Sequence, residues 1–134
     1  MKQELEQEII AIASYMFVGR NKPITENLMA FGMMYGDGWF ELTKKMVMEL
    51  KKVDEIGDIY FVEMKEKYGV LVVYYYLRSG GNCDERFEKI IDKYSKISSK
   101  TCEVCGKKGK LNKKGYWISC RCKKCRLDDG VHNV

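Results

Sequence analysis

The sequence predicts an α+β fold of about four helices packed on a β-hairpin or small antiparallel sheet, plus a C-terminal zinc ribbon. Three observations predict it. Apolar residues recur at helical spacing, two neighbouring segments are rich in β-branched and aromatic residues, and two Cys-x-x-Cys pairs lie near the C-terminus. With 134 residues and 46% hydrophobic residues, the chain suffices for one compact domain with a small appended module.

Two helices are predicted before the first glycine-rich turn. The first is amphipathic and ends near Gly19, and Pro23 suits the first turn of a second helix with Asn27–Met34 as its body. The apolar residues that recur at helical spacing in the first helix are Leu5, Ile9, Ile12, Ala13 and Met16.

Gly36-Asp37-Gly38 predicts a turn that permits positive φ. A third helix follows from about Trp39 to Val53, with its buried stripe at Phe40, Met46, Val47 and Leu50.

A β-hairpin is predicted next, from the segments Ile59–Glu66 and Val70–Leu77 joined by Lys67-Tyr68-Gly69. Tyr74-Tyr75-Tyr76 gives the second strand apolar character on both faces. That pattern predicts a central strand, or one covered by a helix on one side and by a partner on the other.

The fourth helix is predicted over Asp84–Ile97, with an inner stripe of Phe87, Ile90, Ile91 and Tyr94. Helical and strand periodicity ends before Ser98. The predicted organisation is therefore an α+β domain over residues 1–97 and a four-cysteine module with its tail over residues 98–134.

The cysteine spacing predicts a zinc site. Cys102-x-x-Cys105 and Cys122-x-x-Cys125 are 16 residues apart, and each pair fits a tight turn whose amides point at the sulfurs. Four thiolates fill a tetrahedral zinc ion and leave no position for water, so the predicted role is structural. The intervening residues 111–118 can form a hairpin that packs on the site.

Other uses of the cysteines are less favoured. A thioredoxin-type redox motif would need a βαβ setting, which this lysine-rich segment lacks. Cys120 is an alternative third ligand to Cys122, but the Cys122-x-x-Cys125 spacing gives the less strained turn. Cys83, which follows two glycines and an asparagine, is predicted to be a free thiol.

The C-terminal part is strongly basic. Residues 99–128 hold ten Lys or Arg against two acidic residues, whereas the rest of the chain is slightly acidic. Basic residues beside aromatics suit contact with nucleic acid, and a solubilising lysine face is the equally weighted alternative. The candidate partner-binding residues are Lys107, Lys108, Lys110, Lys113, Lys114 and Trp117, with Tyr116 adjacent.

No set of residues predicts a catalytic centre. Glu63-x-Lys65 matches half of a metal-dependent nuclease motif, but the solvated face of an edge strand explains it better. His132, the single histidine, follows the cysteine module and cannot serve a His-Asn-His nuclease. The chain is therefore predicted not to be an enzyme.

Four sequence blocks carry a resemblance to a family. They are Gly36-Asp37-Gly38-Trp39-Phe40, Lys65–Leu71 with Tyr74-Tyr75, Thr101–Gly106, and Trp117 five residues before Cys122.

In this order the blocks resemble small phage and prophage proteins with a GDGW(F/Y)…KEKFGxLR…CExCG…W…C-x-x-(H/C) pattern. The resemblance covers about residues 30 to 125 and implies phage origin and a zinc site. The family often has histidine as the last ligand, where this chain has Cys125. Its Leu-Arg step is absent, because Leu71 is followed by Val72.

The predicted function is that of a non-enzymatic, zinc-binding, phage-type protein that binds and inhibits a host macromolecule. Its most concrete form is an anti-CRISPR protein whose partner is a host protein, a CRISPR effector nuclease. The alternative is a zinc-ribbon regulator that binds nucleic acid. The acidic N-terminal decapeptide lacks signal-peptide features and no long apolar run occurs, so the expected location is the host cytoplasm, away from membranes.

Overall fold

The computed structural model describes residues 1–114 and 117–126, and the fold of these residues is α+β, as predicted. Within these residues, three α-helices, three short 3-10 helices and five strands follow one another. The α-helices are α1 (Gln3–Ile12), α2 (Phe40–Val53) and α3 (Glu85–Ser98). The 3-10 helices span Ser14–Asn21, Leu28–Phe31 and Asp37–Trp39. The strands are β1 (Met33–Met34), β2 (Ile59–Lys67), β3 (Val70–Leu77), β4 (Lys110–Lys114) and β5 (Trp117–Arg121).

The third and fourth predicted helices are confirmed as α2 and α3. The buried stripe of α2 includes Met46, Val47 and Leu50, each fully buried. The first turn of α3 is capped by Asp84, whose carboxylate accepts a hydrogen bond from the Arg86 amide at 2.9 Å. Because their apolar positions recur at helical spacing, α3 packs on β3, and α2 packs against α1 and α3.

The predicted hairpin is confirmed as β2 and β3, which pair antiparallel within a three-stranded sheet of order β1-β2-β3. Tyr68 and Gly69 make the turn with φ of 53° and 83°. Because β3 is an edge strand, the central position considered for it is wrong. Tyr75 faces the core, whereas Tyr74 and Tyr76 on the opposite face are 47% and 44% exposed.

The helix predicted over Asn27–Met34 is wrong. The Asn27 side chain, 2% exposed, accepts from the Met29 amide at 2.8 Å and donates to the Phe61 carbonyl at 3.0 Å. Gly32, at φ 73°, then ends the short 3-10 helix, and Met33 enters β1, parallel to β2. The asparagine and the glycine thus replace helical hydrogen bonds with tertiary ones.

The first helix also differs from its prediction, because α1 ends at Ile12 and a 3-10 helix continues to Asn21. The apolar residues at the junction are nevertheless buried, among them Ile9, Ala13 and Met16. Within the described residues, no helix is both long and apolar enough to cross a membrane.

Candidate metal centre

The first half of the site is the turn that carries Cys102 and Cys105. The Gly106 amide donates to the Cys102 carbonyl at 2.9 Å, and Gly106 adopts φ 81°, which suits glycine. The Cys102 amide donates to the Lys107 carbonyl at 2.7 Å and closes the turn. The sequence Cys-x-x-Cys-Gly therefore folds into the compact knuckle that brings two sulfurs together.

The second half follows the β4–β5 hairpin, which the sequence predicted between the two cysteine pairs. Cys122 comes directly after β5, and Cys125 lies in the helical turn that follows. The Cys125 amide donates to the Cys122 sulfur at 3.4 Å, and the Arg126 amide donates to the Cys122 carbonyl at 3.0 Å. This places the second pair opposite the first knuckle.

The four predicted ligands converge. The sulfurs of Cys102, Cys105, Cys122 and Cys125 all lie within 4.8 Å of one another. The Cys105 and Cys122 sulfurs are 3.6 Å apart, and all four thiols are free of disulfides. Two sulfurs bound at about 2.3 Å to one tetrahedral zinc ion lie about 3.8 Å apart, so the group fits a metal ion.

The local amides favour the thiolate that a metal needs. The Cys125 N–H, pointing at the sulfur, lowers the pKa of Cys122 to about 6. Burial raises the pKa of the Cys102 thiol, but amides including those of Cys122 and Cys105 outweigh burial and leave that pKa below its usual value. Metal binding near neutral pH therefore displaces few protons from Cys122, whereas burial raises the pKa of Cys125, which must lose its proton to bind a metal ion.

Cys120 has a different environment from the four. Its side chain is fully buried and belongs to the hydrophobic core cluster. Burial, followed by the charge of the neighbouring Cys102, raises the pKa of Cys120 to about 11. A neutral thiol packed in the core is a poor metal ligand, whereas Cys122 faces the other three sulfurs.

The first knuckle rests on the residues before α2. The Gly38 amide donates to the Glu103 carbonyl at 2.8 Å, and the Trp39 indole donates to the Thr101 carbonyl at 2.8 Å. A Cβ on Gly38 would lie 2.1 Å from the Cys102 carbonyl oxygen. Gly38 is therefore required for close approach of two backbones.

The glycines of Gly36-Asp37-Gly38 allow close backbone approach. The sequence predicted a turn that permits positive φ, and the structure does not use that freedom, because Gly36 has φ −78° and Gly38 is not among the positive-φ residues of the described chain. A Cβ on Gly36 would lie 2.5 Å from the Glu103 carbonyl oxygen. The sequence analysis missed this contact because its partners are more than 60 residues apart in the chain. The Gly-Asp-Gly-Trp block was the sequence feature that could have indicated it.

The β4–β5 hairpin also packs on the body. Leu111 and Cys120 are paired across the two strands, and a Cβ on Gly69 would lie 2.5 Å from a Leu111 methyl carbon. Contacts at Gly38, Trp39 and Gly69 thus cross the predicted boundary at residue 98. The division into residues 1–97 and 98–134 stays a prediction.

The predicted partner-binding residues do not share one face. On β4, Lys110 pairs with Arg121, Lys113 with Ile118 and Lys114 with Trp117. Because successive residues of a strand alternate between its two faces, Lys113 lies on the face opposite to that of Lys110. Lys107 and Lys108 lie in the first knuckle and are exposed, as are Lys110 and Lys113. Trp117 is 64% exposed.

Three further cations lie at the site that were not among the predicted partner-binding residues. Lys123, Lys124 and Arg126 surround the second cysteine pair and are exposed, and the Arg126 guanidinium donates to the Asn112 side chain at 3.0 Å. The excess of Lys and Arg over residues 99–128 was the sequence feature that could have identified them. Tyr116 and His132 lie outside the described residues.

The other candidates from the sequence stay apart from the metal centre. Glu63 and Lys65 form an ion pair of 2.9 Å on β2. The solvated edge strand expected for them is wrong, because β2 is the central strand of its sheet and Glu63 is buried. Over residues 1–114 and 117–126, the four cysteines are the one group of three or more His, Cys, Asp or Glu placed to hold a metal ion. Cys83 is exposed and free.

Comparison with known proteins adds no relative. No family model, curated protein or solved structure matches the chain. The resemblance to phage proteins and its implications therefore stay predictions from the sequence.

Proposed function

We propose that this chain is a non-enzymatic zinc-binding protein in which the metal fixes a basic β-hairpin to the α+β body for contact with a macromolecular partner. The observation that carries the proposal is the convergence of four cysteine sulfurs within 4.8 Å. Four protein ligands leave zinc no open position, so the metal has a structural role.

Metal analysis of the purified chain tests this. We expect one zinc per chain, and loss of that zinc in Cys125→Ser, because three thiolates hold the metal more weakly than four. Cys83→Ser is the matched control, since Cys83 is exposed and outside the cluster. Bound iron in place of zinc, or full zinc occupancy in Cys125→Ser, would contradict the proposal.

For the partner we propose a host protein, in the specific form of a phage-type inhibitor of a bacterial defence nuclease such as a CRISPR effector. The resemblance to phage proteins supports this, together with exposed cations around the metal that suit an acidic protein surface. A desolvated aromatic side chain beside such cations is a common anchor of protein interfaces.

Capture from a bacterial lysate treated with nuclease tests the protein partner, followed by an inhibition assay on the captured enzyme. Charge reversal at Lys107, Lys108 and Lys110 should abolish capture and inhibition. The matched control reverses Lys89 and Lys96, which are exposed on α3 and lie outside both cysteine turns. Capture that disappears on nuclease treatment would show that nucleic acid carries the interaction.

Nucleic-acid binding by the hairpin is the second candidate function. The observation that favours it is Trp117, which is 64% exposed and lies in register with Lys114 at the end of β4–β5. An exposed indole stacks on bases while lysines neutralise phosphates. Affinity for nucleic acid would then fall steeply with salt, and Trp117→Ala would weaken it.

A further inference from the structure

The outer face of the three-stranded sheet is lined with tyrosines, and the metal centre does not use it. Tyr60 on β2 lies opposite Tyr76 on β3, with ring centroids 6.1 Å apart, and Tyr74 follows on the same face. The inner face of the same strands is buried under the helices, whereas Tyr74 and Tyr76 are 47% and 44% exposed. We call Tyr60, Tyr74 and Tyr76 the tyrosine face.

Cations are held directly at these rings. The Lys22 ammonium lies 5.4 Å and the Arg78 guanidinium 5.2 Å from the centroid of Tyr60, and the Lys65 ammonium lies 5.7 Å from that of Tyr74. Lys65 is also paired with Glu63. These three cations outnumber the two carboxylates, Glu63 and Glu88, that line the groove beside Tyr74 and Tyr76, so the face is complementary to a polyanion with flat, apolar groups.

Backbone carbonyls hold the Arg78 guanidinium in place. Its guanidinium donates to the Tyr15 carbonyl at 2.7 Å and to the Gly57 carbonyl at 3.1 Å. This arrangement holds the charge beside Tyr60 before any ligand arrives, so little side-chain entropy is lost when an anion binds.

From this arrangement we propose that the tyrosine face binds single-stranded nucleic acid, with bases stacked on Tyr74 and Tyr76 and phosphates near Lys22, Lys65 and Arg78. Residues two apart on one strand project to the same side about 7 Å from each other. Such a pair of rings accommodates successive bases of an extended strand, as aromatic sheet surfaces do in RNA-binding modules. Duplex bases are already stacked and do not offer their faces.

A groove supports this geometry. It has a volume of about 250 Å³, and Tyr74 and Tyr76 line it together with Val62, Leu28, Asn82 and two carboxylates, those of Glu63 and Glu88. The rings and apolar side chains suit the faces of a base, and the amide and carboxylates can accept hydrogen bonds from the N–H groups at its polar edge. The binding surface goes beyond the proposed function, because it is separate from the metal centre and from the lysines of β4.

Fluorescence anisotropy with the zinc-loaded full chain tests the proposal, using labelled poly-dT and poly-U strands of about 20 nucleotides and a duplex of equal length at about 0.1 M salt. We expect micromolar binding of one or both single strands and at least about tenfold weaker binding of the duplex. Comparing the two strands distinguishes DNA from RNA as the source of the ligand.

Substitutions locate the binding surface. Tyr74→Leu with Tyr76→Leu keeps apolar, strand-compatible side chains but removes the rings, and should weaken single-strand binding about tenfold or more. Tyr74→Phe with Tyr76→Phe should bind like the unsubstituted chain. Lys22→Gln should reduce the salt dependence of binding, whereas Lys96→Gln on α3 should not.

The outcomes separate this proposal from the hairpin function. Loss of single-strand binding on reversing Lys107, Lys108 and Lys110, with no effect of the tyrosine pair, would overturn the tyrosine face as the site. Absence of single-strand binding would overturn it too. Self-association of the chain that disappears in Tyr74→Leu with Tyr76→Leu would also overturn it, because a second copy would then cover the tyrosine face. The tyrosine substitutions should leave zinc content and protein capture unchanged, so the proposed function fails or stands separately.

Discussion

Replacing Trp39 by phenylalanine should uncouple the metal knuckle from the body of the protein. Trp39 is fully buried at the start of α2, and its ring packs on Tyr35 with centroids 5.3 Å apart. Its indole N–H donates to the carbonyl of Thr101 at 2.8 Å, directly before the ligand Cys102. Phenylalanine preserves an aromatic ring in the core but removes this donor.

The magnitude follows from these contacts. A partly buried carbonyl that loses its donor costs about 1–3 kcal/mol. Truncating a buried tryptophan to alanine costs about 3–5 kcal/mol, and phenylalanine retains much of that packing, so lost ring contacts contribute about 1 kcal/mol. The total loss in free energy of unfolding is about 2–4 kcal/mol, which lowers Tm by about 10 °C in a chain of this size.

Urea unfolding followed by circular dichroism measures this loss, and Trp117→Phe is the matched control. Trp117 is 64% exposed, so its replacement should change the free energy of unfolding by less than about 0.5 kcal/mol. Equal effects of the two substitutions would refute the reasoning, because the exposed and buried indoles would then contribute alike.

The same substitution should cost less after the metal is removed by chelation. Metal binding fixes Cys102 and with it the neighbouring Thr101 carbonyl beneath the indole, so the hydrogen bond is strongest in the loaded protein. A cost that is equal with and without metal would mean that Trp39 stabilises the core alone.

Three further predictions concern the site and the core. Cys122→Ser should release the metal while Cys120→Ala keeps it, because the Cys120 side chain packs in the core; metal analysis of both variants decides, and retention of zinc in Cys122→Ser would show the ligand choice to be wrong. Asn27→Ala should lower the free energy of unfolding by about 2–3 kcal/mol, since two hydrogen bonds of a buried side chain are lost; a urea midpoint unchanged from that of the parent chain would contradict this. Burial, followed by a hydrogen bond with Glu49, raises the pKa of Tyr94 to about 12, so its contribution to stability is complete below about pH 10 and is lost as the pH rises toward about 12. Tyr94→Phe should therefore lose less stability than the parent chain between about pH 9 and about pH 11, and equal losses would show that Tyr94 does not carry the effect.

Elements with strong local patterns could be predicted from the sequence. The bounds of α2, β2, β3 and α3 agree with their predictions within two residues, because apolar periodicity and turn glycines specify them locally. The same holds for the cysteine cluster, since Cys-x-x-Cys spacing determines the geometry of each knuckle before any tertiary contact forms.

Features that depend on distant contacts could not be predicted. The segment after Pro23 has helical composition, but Asn27 bonds to Phe61 and Met33 to Glu6, and these partners are invisible to local periodicity. Tyr74 and Tyr76 suggested a central strand because aromatic residues on both faces usually mean burial on both faces. In both cases tertiary structure overrides the local preference.

The contacts across residue 98 relate the metal to α2 through a continuous path. Zinc at the four sulfurs would restrain Cys102, and the adjoining carbonyls of Thr101 and Glu103 accept from Trp39 and Gly38 at the start of α2. Without the metal the knuckle loses its main restraint, and these two donors lose fixed acceptors. The free energy of metal binding is therefore expected to reach the helical body as well as the hairpin, so that chelation lowers the stability of α2 and not of the basic segment alone.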